Sequence, residues 1–165
     1  EIGIGSGCIM ISLLNDLKHS QGVGIDVCKK TLKNCRINLK KFKLENKCKL
    51  LLKSVDELNN IKFDLVVSNP PYIIRRDIKR LSKDIIRFEP TVALDGGNDG
   101  LDVIKKVIYK STKVLKLNGI LAIEIGYGQY RAVRNLLIAN NFKEKFVIKD
   151  FGNNIRCIFS TLLKK

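Results

Sequence analysis

The chain opens on E-I-G-I-G-S-G, residues 1–7, and runs directly into the apolar residues Ile9, Ile11, Leu13 and Leu14. Glycine at every second position lets the backbone turn sharply and come close to a ligand, and the first amides of a helix starting there point back over the turn. A turn of this kind joins a buried strand to a helix in a parallel sheet, so the first strand is expected to lie ahead of Glu1 and to be truncated here. Strand-like and helix-like segments then alternate, which is the pattern of an α/β fold. The strand signals fall at Gly22–Asp26, Cys48–Leu52, Phe63–Ser68, 119–125, 142–150 and Ile155–Leu162, and the last two, joined by G-N-N, read as a hairpin. Leu32, Cys35, Leu39 and Phe42 recur at helical spacing, as do Tyr130, Val133 and Leu137 ahead of Asn140-Asn141. So do Leu101, Ile104, Ile108, Ser111 and Leu115, and Asn118-Gly119 predicts where that helix ends.

Composition narrows the classes. With 165 residues, 45% of them hydrophobic, the chain is expected to be one catalytic-domain-sized unit, 1–165, that needs no disulfide or metal. No apolar run approaches the roughly 18 residues of a membrane span, and the first segment does not resemble a secretion signal, so a cytoplasmic location is expected. The five cysteines are odd in number and include no C-x-x-C pair, and they read as reduced, mostly buried hydrophobes. A single histidine, His19, is too few for a histidine-based metal site or a Ser/His/Asp triad, so no metal is expected. The net charge of +15 is nearly all lysine, spread along the chain with much asparagine and isoleucine, which suggests compositional bias; attraction to a ribosome or other RNA is the functional alternative.

In the first turn the third glycine is Gly7, not residue 8, giving G-x-G-x-G. This departure from the dinucleotide fingerprint favours S-adenosylmethionine over a nicotinamide cofactor. Asp26 follows about 20 residues later at a strand end, where a carboxylate accepts hydrogen bonds from ribose hydroxyls. Its structural alternative is to cap the helix that begins beyond Val27 and Cys28.

The strongest strand signal leads into Ser68-Asn69-Pro70-Pro71-Tyr72. Ligands of open α/β sheets bind beyond the carboxyl ends of strands, so this loop and the glycine turn are expected to face one crevice. Two prolines stiffen the backbone and remove its donors, leaving carbonyls free to accept. An acceptor NH2 group can then be held by the Asn69 side-chain oxygen and the Pro70 carbonyl, with Tyr72 packed against the planar group. An amide lone pair is poorly nucleophilic, so orientation and stabilisation of the charge growing on nitrogen must replace basicity. The same loop also suits an exocyclic amino group of a nucleic-acid base, although no target-recognition insertion is present. A cofactor-binding or RNA-binding module without turnover is the non-enzymatic alternative.

Together with that loop, Arg87-Phe88-Glu89-Pro90, Ala93-Leu94, residues 97–101 (G-N-D-G-L) and the ending D-F-G-N-N-I-R from Asp150 to Arg156 resemble the HemK/PrmC family over essentially the whole chain. Those enzymes methylate the glutamine of the Gly-Gly-Gln motif of peptide-chain release factors. The resemblance implies a Rossmann-like class I S-adenosylmethionine-dependent methyltransferase fold, with a mostly parallel seven-stranded sheet and a C-terminal antiparallel hairpin. It further implies that Gly3, Ile4, Gly5, Ser6, Gly7, Asp26, Asp56 and Asn69 bind the cofactor. Asn69, Pro70, Pro71 and Tyr72 then form the catalytic and glutamine-binding clamp, and a release factor is the implied partner. The family's Ser-Asp pair near the adenine is altered, since Ser54 is followed by Val55 and only then by Asp56. Arg87 and Glu89 are expected to brace the acceptor loop, and Asp150, Asn154 and Arg156 to shape the final hairpin and its neighbouring loop rather than to touch the methyl group. The family's helical N-terminal domain is expected to lie outside this chain.

Overall fold

The structure, a computed structural model, describes residues 1–59 and 61–163, without the side chain of Phe88 in the R-F-E-P run. It divides into two compact units, Glu1–Leu58 and Asn59–Lys165.

In the first unit, β1 (Gly22–Asp26) pairs in parallel with β2 (Cys48–Leu52), in register from Gly22 opposite Cys48 to Asp26 opposite Leu52. Ile2 makes a parallel bridge to Ile25, and the Glu1 carbonyl accepts the Ile25 N–H at 3.0 Å, so the residues entering the glycine turn run alongside β1. α1 (Cys8–Asp16) and α2 (Lys29–Lys41) pack on these strands. Met10, Ile11 and Leu14 of α1 meet Leu32, Cys35 and Leu39 of α2 with Ile4, Leu44 and Cys48, closing an apolar cluster. Phe42, expected on the buried face of α2, is 60% exposed. It caps the helix, Lys43 follows with φ of 58°, and this turn delivers Leu44 to the core in place of Phe42.

The second unit is a four-stranded sheet in the order β3-β4-β6-β5, made of β3 (Phe63–Ser68), β4 (Leu115–Glu124), β5 (Phe142–Lys149) and β6 (Ile155–Leu162). β3 and β4 are parallel, and β6 is antiparallel to both β4 and β5, which gives the expected terminal hairpin. α4 (Asp102–Val114) packs on β3 and β4, α5 (Tyr130–Ala139) packs on β5, and the two helices touch. Ile104, Val107 and Ile108 of α4, Leu121 and Ile123 of β4, Val133 of α5 and Ile158 of β6 are wholly buried between them. The mixed region ahead of residue 98 contains two 3-10 turns, Arg75–Arg80 and Thr91–Ala93, and a short helix, α3 (Lys83–Phe88).

One boundary differs from the sequence expectation. The helix expected to reach Asn118-Gly119 ends at Val114, and the wholly buried Leu115 already belongs to β4. The pairing steps from Phe63 opposite Leu115 to Leu65 opposite Ile120, so β4 bulges. Asn118, with φ of 63°, makes that bulge. An Asn-Gly pair supplies a left-handed residue in a strand bulge as readily as at a helix end, and burial of Leu115 selects the bulge. The cysteines also differ from expectation: Cys35 and Cys48 are buried, Cys28 and Cys157 are intermediate, and Cys8 is exposed, all with free thiols. Among the described residues no helix is long and apolar enough to cross a membrane. The bulge generates a test. Asn118→Ala should lower stability by about 1 to 2 kcal/mol, the cost of a left-handed residue with a Cβ, whereas Asn118→Gly should leave it nearly unchanged; chemical denaturation of the two variants measures the difference.

Candidate functional site

In the first unit, Gly3, Gly5 and Gly7 have φ of 72°, 56° and 83°, so the alternation of glycines is a backbone requirement of the turn. A Cβ on Gly3 or Gly5 would meet no protein atom within 4 Å, so this cradle is open to a ligand. The N–H groups of Gly3 and Ile4 both donate to the Ile25 carbonyl at 2.9 Å, which anchors the turn on β1. Ile4 is buried beneath the turn and Ser6 is exposed on it, its carbonyl accepting from the Asn38 side chain at 3.0 Å.

Asp26 joins the turn to the strand end. One carboxylate oxygen accepts the Gly5 N–H at 3.1 Å and the other the Cys28 N–H at 2.9 Å. The N-cap position of α2 is Cys28, so Asp26 orders the approach to the helix without being its cap residue. Hydrogen bonds from Thr31 lower the Cys28 thiol below the usual cysteine range. Glu1 was not singled out among the site residues, yet its carboxyl lies close to this turn. Burial raises its pKa, the Met10 N–H opposing and the Asp26 charge adding to the rise. Asp56 lies exposed in a 3-10 turn, Val55–Glu57. There the capping box is made by Ser54 and Glu57, with the Ser54 N–H donating to Glu57 at 2.8 Å.

In the second unit, β3 ends on buried Ser68 and the acceptor loop begins. Asn69 is exposed, and its side chain makes no hydrogen bond among the described residues; Pro70 is buried and Pro71 intermediate. Tyr72 is held at its hydroxyl, which donates to Glu124 at 3.3 Å and accepts from Arg156 at 3.0 Å. The Arg156 guanidinium also lies 5.4 Å from the ring centroid and 3.8 Å from Glu124. Asp150 accepts both the backbone and the side-chain N–H of Asn154, at 2.9 and 3.2 Å, which closes the hairpin turn. Arg156 therefore connects the hairpin to Tyr72 in the loop after β3.

The backbone beyond Tyr72 is braced by residues 94–97. Arg87 and Glu89 are exposed. The Ile73 N–H donates to the Leu94 carbonyl at 3.1 Å, the Gly96 N–H to the Ile73 carbonyl at 2.8 Å, and the Arg75 N–H to the Gly97 carbonyl at 2.9 Å. Arg75 pairs with Asp95 at 2.8 Å, which holds the Asp95 carboxyl below the usual range, the side-chain hydrogen bond being the larger cause. Gly96 and Gly100 pack so closely that a Cβ on either would sit 2.8 Å and 2.6 Å from the backbone of Tyr72. Gln129 was missed altogether. Its side-chain N–H group donates to the carbonyls of Tyr72 at 3.0 Å and Gly100 at 3.2 Å, and its oxygen accepts the Gly126 N–H at 2.8 Å. The only sequence signal was its place just after the Gly-Tyr-Gly that follows β4.

An open glycine turn tied to a strand-end acid thus lies in the first unit, and a proline-containing loop with an exposed Asn69 in the second. The chain belongs to the family described as Methyltransferase small domain, whose model matches residues 1–98. It is 38% identical over 161 residues to the release factor glutamine methyltransferase of Fusobacterium nucleatum subsp. nucleatum, covering 97% of this chain and 46% of that protein. It is 36% identical to the protein of the same name from Rhodospirillum rubrum, covering 97% of this chain and 49% of that one. The chain thus spans about half the length of these curated relatives. In fold it is similar to the ribosomal protein L11 methylase of Lactobacillus delbrueckii subsp. bulgaricus, with a TM-score of 0.69 at 18% identity, over 97% of this chain and 67% of that one. The fold is therefore the Rossmann-like α/β fold of the class I methyltransferases, as the sequence implies.

The Gln129 brace can be tested on stability alone. Gln129→Ala leaves the Gly126 N–H and two carbonyls without partners in a partly buried place, and should lower stability by about 1 to 3 kcal/mol. Gln129→Glu should not restore it, because a carboxylate has no N–H for the Tyr72 and Gly100 carbonyls. Denaturant midpoints of both variants equal to the parent value would show that the amide braces nothing.

Proposed function

We propose that this chain carries the methyl-transfer site of a release factor glutamine methyltransferase, with S-adenosylmethionine as donor, the side-chain amide of a protein glutamine as acceptor, and 1–165 as one catalytic domain. The single observation that carries this reading is the state of the acceptor loop: Tyr72 and the loop backbone are tied down on several sides while Asn69 is exposed with its side chain free of partners among the described residues. The relatives named release factor glutamine methyltransferase support the choice of acceptor. A cytoplasmic place of action, close to the ribosome, follows from that substrate.

The residues present fit the cofactor. The open backbone of Gly3 and Gly5 takes the methionine end, and Asp26, already oriented by two N–H groups, keeps acceptor capacity for the ribose hydroxyls. When bound, S-adenosylmethionine supplies a methyl group activated by its sulfonium. Asn69 and the Pro70 carbonyl accept the two N–H bonds of the glutamine amide and orient its nitrogen. As positive charge grows on that nitrogen, both acceptors interact with it more strongly than in the ground state, which is how they lower the barrier.

Two measurements test this reading. Asp26→Ala should weaken S-adenosylmethionine binding by about 1.5 to 3 kcal/mol, the range for hydrogen bonds to a charged group, and equal affinity by calorimetry would remove Asp26 from the site. Asn69→Ala should lower kcat on the order of 100-fold to 1000-fold at saturating donor, with much less change in cofactor affinity. Incubation with labelled donor and either release factor or nucleic acid identifies the acceptor class. An unchanged kcat in Asn69→Ala, or label passing to nucleic acid instead of release factor, would overturn the proposal.

A further inference from the structure

Two large aromatic side chains on the loops that bound Tyr72 are turned out into solvent. Tyr127 is 80% exposed and Phe151 fully exposed at 113%. Tyr127 stands between Gly126 and Gly128 just beyond β4, and a Cβ on Gly126 would lie 3.0 Å from the Tyr72 ring. Phe151 follows Asp150, whose carboxylate is 3.9 Å from the guanidinium of Arg156, the same group that holds the Tyr72 hydroxyl and covers its ring. Tyr127 is thus one residue from a glycine packed on the Tyr72 ring, and Phe151 one residue from the ion-pair partner of the Arg156 that holds Tyr72.

Folding does not require either ring there. The Phe151 turn is closed by Asp150 and Asn154, with their backbones bonded at 2.9 Å and Asn153 at φ of 64°, and Phe151 has no part in that closure. A turn of this kind favours Asn, Asp and Gly, and a phenyl ring at its tip forgoes burial. Tyr127 likewise sits on a segment whose shape is set by the Gln129 bonds to Gly126 and Tyr72, not by its own side chain. Exposed single aromatics are common on protein surfaces. A pair held by rigid turns on the two loops beside one acceptor residue is a surface feature of the site.

We infer that Tyr127 and Phe151 form a docking surface for the polypeptide on either side of the acceptor glutamine, a role that rests on the function proposed above. A glutamine held through its side chain by Asn69 and Pro70 leaves its main chain to pass over the neighbouring loops. Flat peptide groups and small aliphatic side chains pack well against aromatic rings that lose little conformational freedom on binding. These are specificity residues, distinct from the clamp that touches the reacting nitrogen.

The test is steady-state methylation of release factor by the full-length protein and by Tyr127→Ala and Phe151→Ala. Each substitution should raise KM for release factor about tenfold, the effect of losing an aromatic anchor, with kcat falling far less and cofactor affinity preserved. Tyr127→Phe and Phe151→Tyr keep the ring and should restore KM. Because both side chains are exposed, melting temperatures should stay at the parent value, which separates docking from a folding defect. Unchanged KM in both alanine variants, or a loss confined to kcat, overturns this inference while leaving the proposed function intact. A parent protein that methylates nucleic acid but not release factor overturns both.

Discussion

The loop after β3 contains two consecutive residues without a backbone N–H, so it cannot be held as ordinary turns are, by its own amides. Every restraint on it must come from outside. Among the described residues four separate segments provide restraints: residues 94–97 bond the backbone of Ile73 and Arg75, Gln129 bonds the Tyr72 carbonyl, and Glu124 and Arg156 hold the Tyr72 hydroxyl. Each of these bonds contributes on the order of 1 kcal/mol, but they share partners in a partly buried place and act as a network. The register of β4 with β6, Glu124 opposite Cys157, is what brings Arg156 beside Glu124. A one-residue slip of that hairpin would carry Arg156 away from the loop, so the end of the chain sets the shape of a loop some eighty residues earlier.

The glycine turn depends on a smaller version of the same device. Cofactor ligand and helix-start cap were alternative roles for Asp26; the cap position falls to Cys28, and Asp26 orders the approach to it with acceptor positions to spare. A carboxylate has about four acceptor positions, and Gly5 and Cys28 take one on each oxygen. The bond to Gly5 spans the distance from the strand end to a residue that only glycine can occupy comfortably at φ of 56°. Turn and acid are therefore ordered together, before any ligand arrives.

Much of the fold was legible because short apolar runs between turn residues leave few alternatives. Gly22–Asp26, Cys48–Leu52, Phe63–Ser68 and Ile155–Leu162 are strands with those bounds. The start of β4 was not legible, since Asn118-Gly119 carries the same left-handed preference at a helix end and in a bulge, and only the burial of Leu115 separates the two. Phe42 was misplaced for a related reason: helical periodicity continued one step beyond the turn at Lys43 that ends the helix. Within the candidate site, glycines, an acid and paired prolines stood out in the sequence because they have chemistry of their own. Gln129, Glu124 and the backbone of residues 94–97 did not, because their roles arise from where the fold delivers ordinary groups.

Under the function proposed above, a neutral amide at position 69 suits the charge that must be stabilised. A carboxylate there would bind water and cations strongly in the resting protein and would have to be desolvated before an uncharged amide could replace them. In that proposal the Asn69 oxygen gives up less on desolvation, yet its interaction with the nitrogen would strengthen as positive charge develops there. A second neutral acceptor of the same kind, the Pro70 carbonyl, would in that proposal fix the plane of the incoming amide, which one acceptor alone cannot do. The prolines serve this end by stiffening the chain without adding an N–H that would compete for the same oxygens. The heavy bracing of Tyr72 and its neighbours is then the counterpart of an unbraced Asn69: neutral acceptors stabilise a developing charge well only if they need not reorganise when it appears, so the surrounding network must hold them in place beforehand.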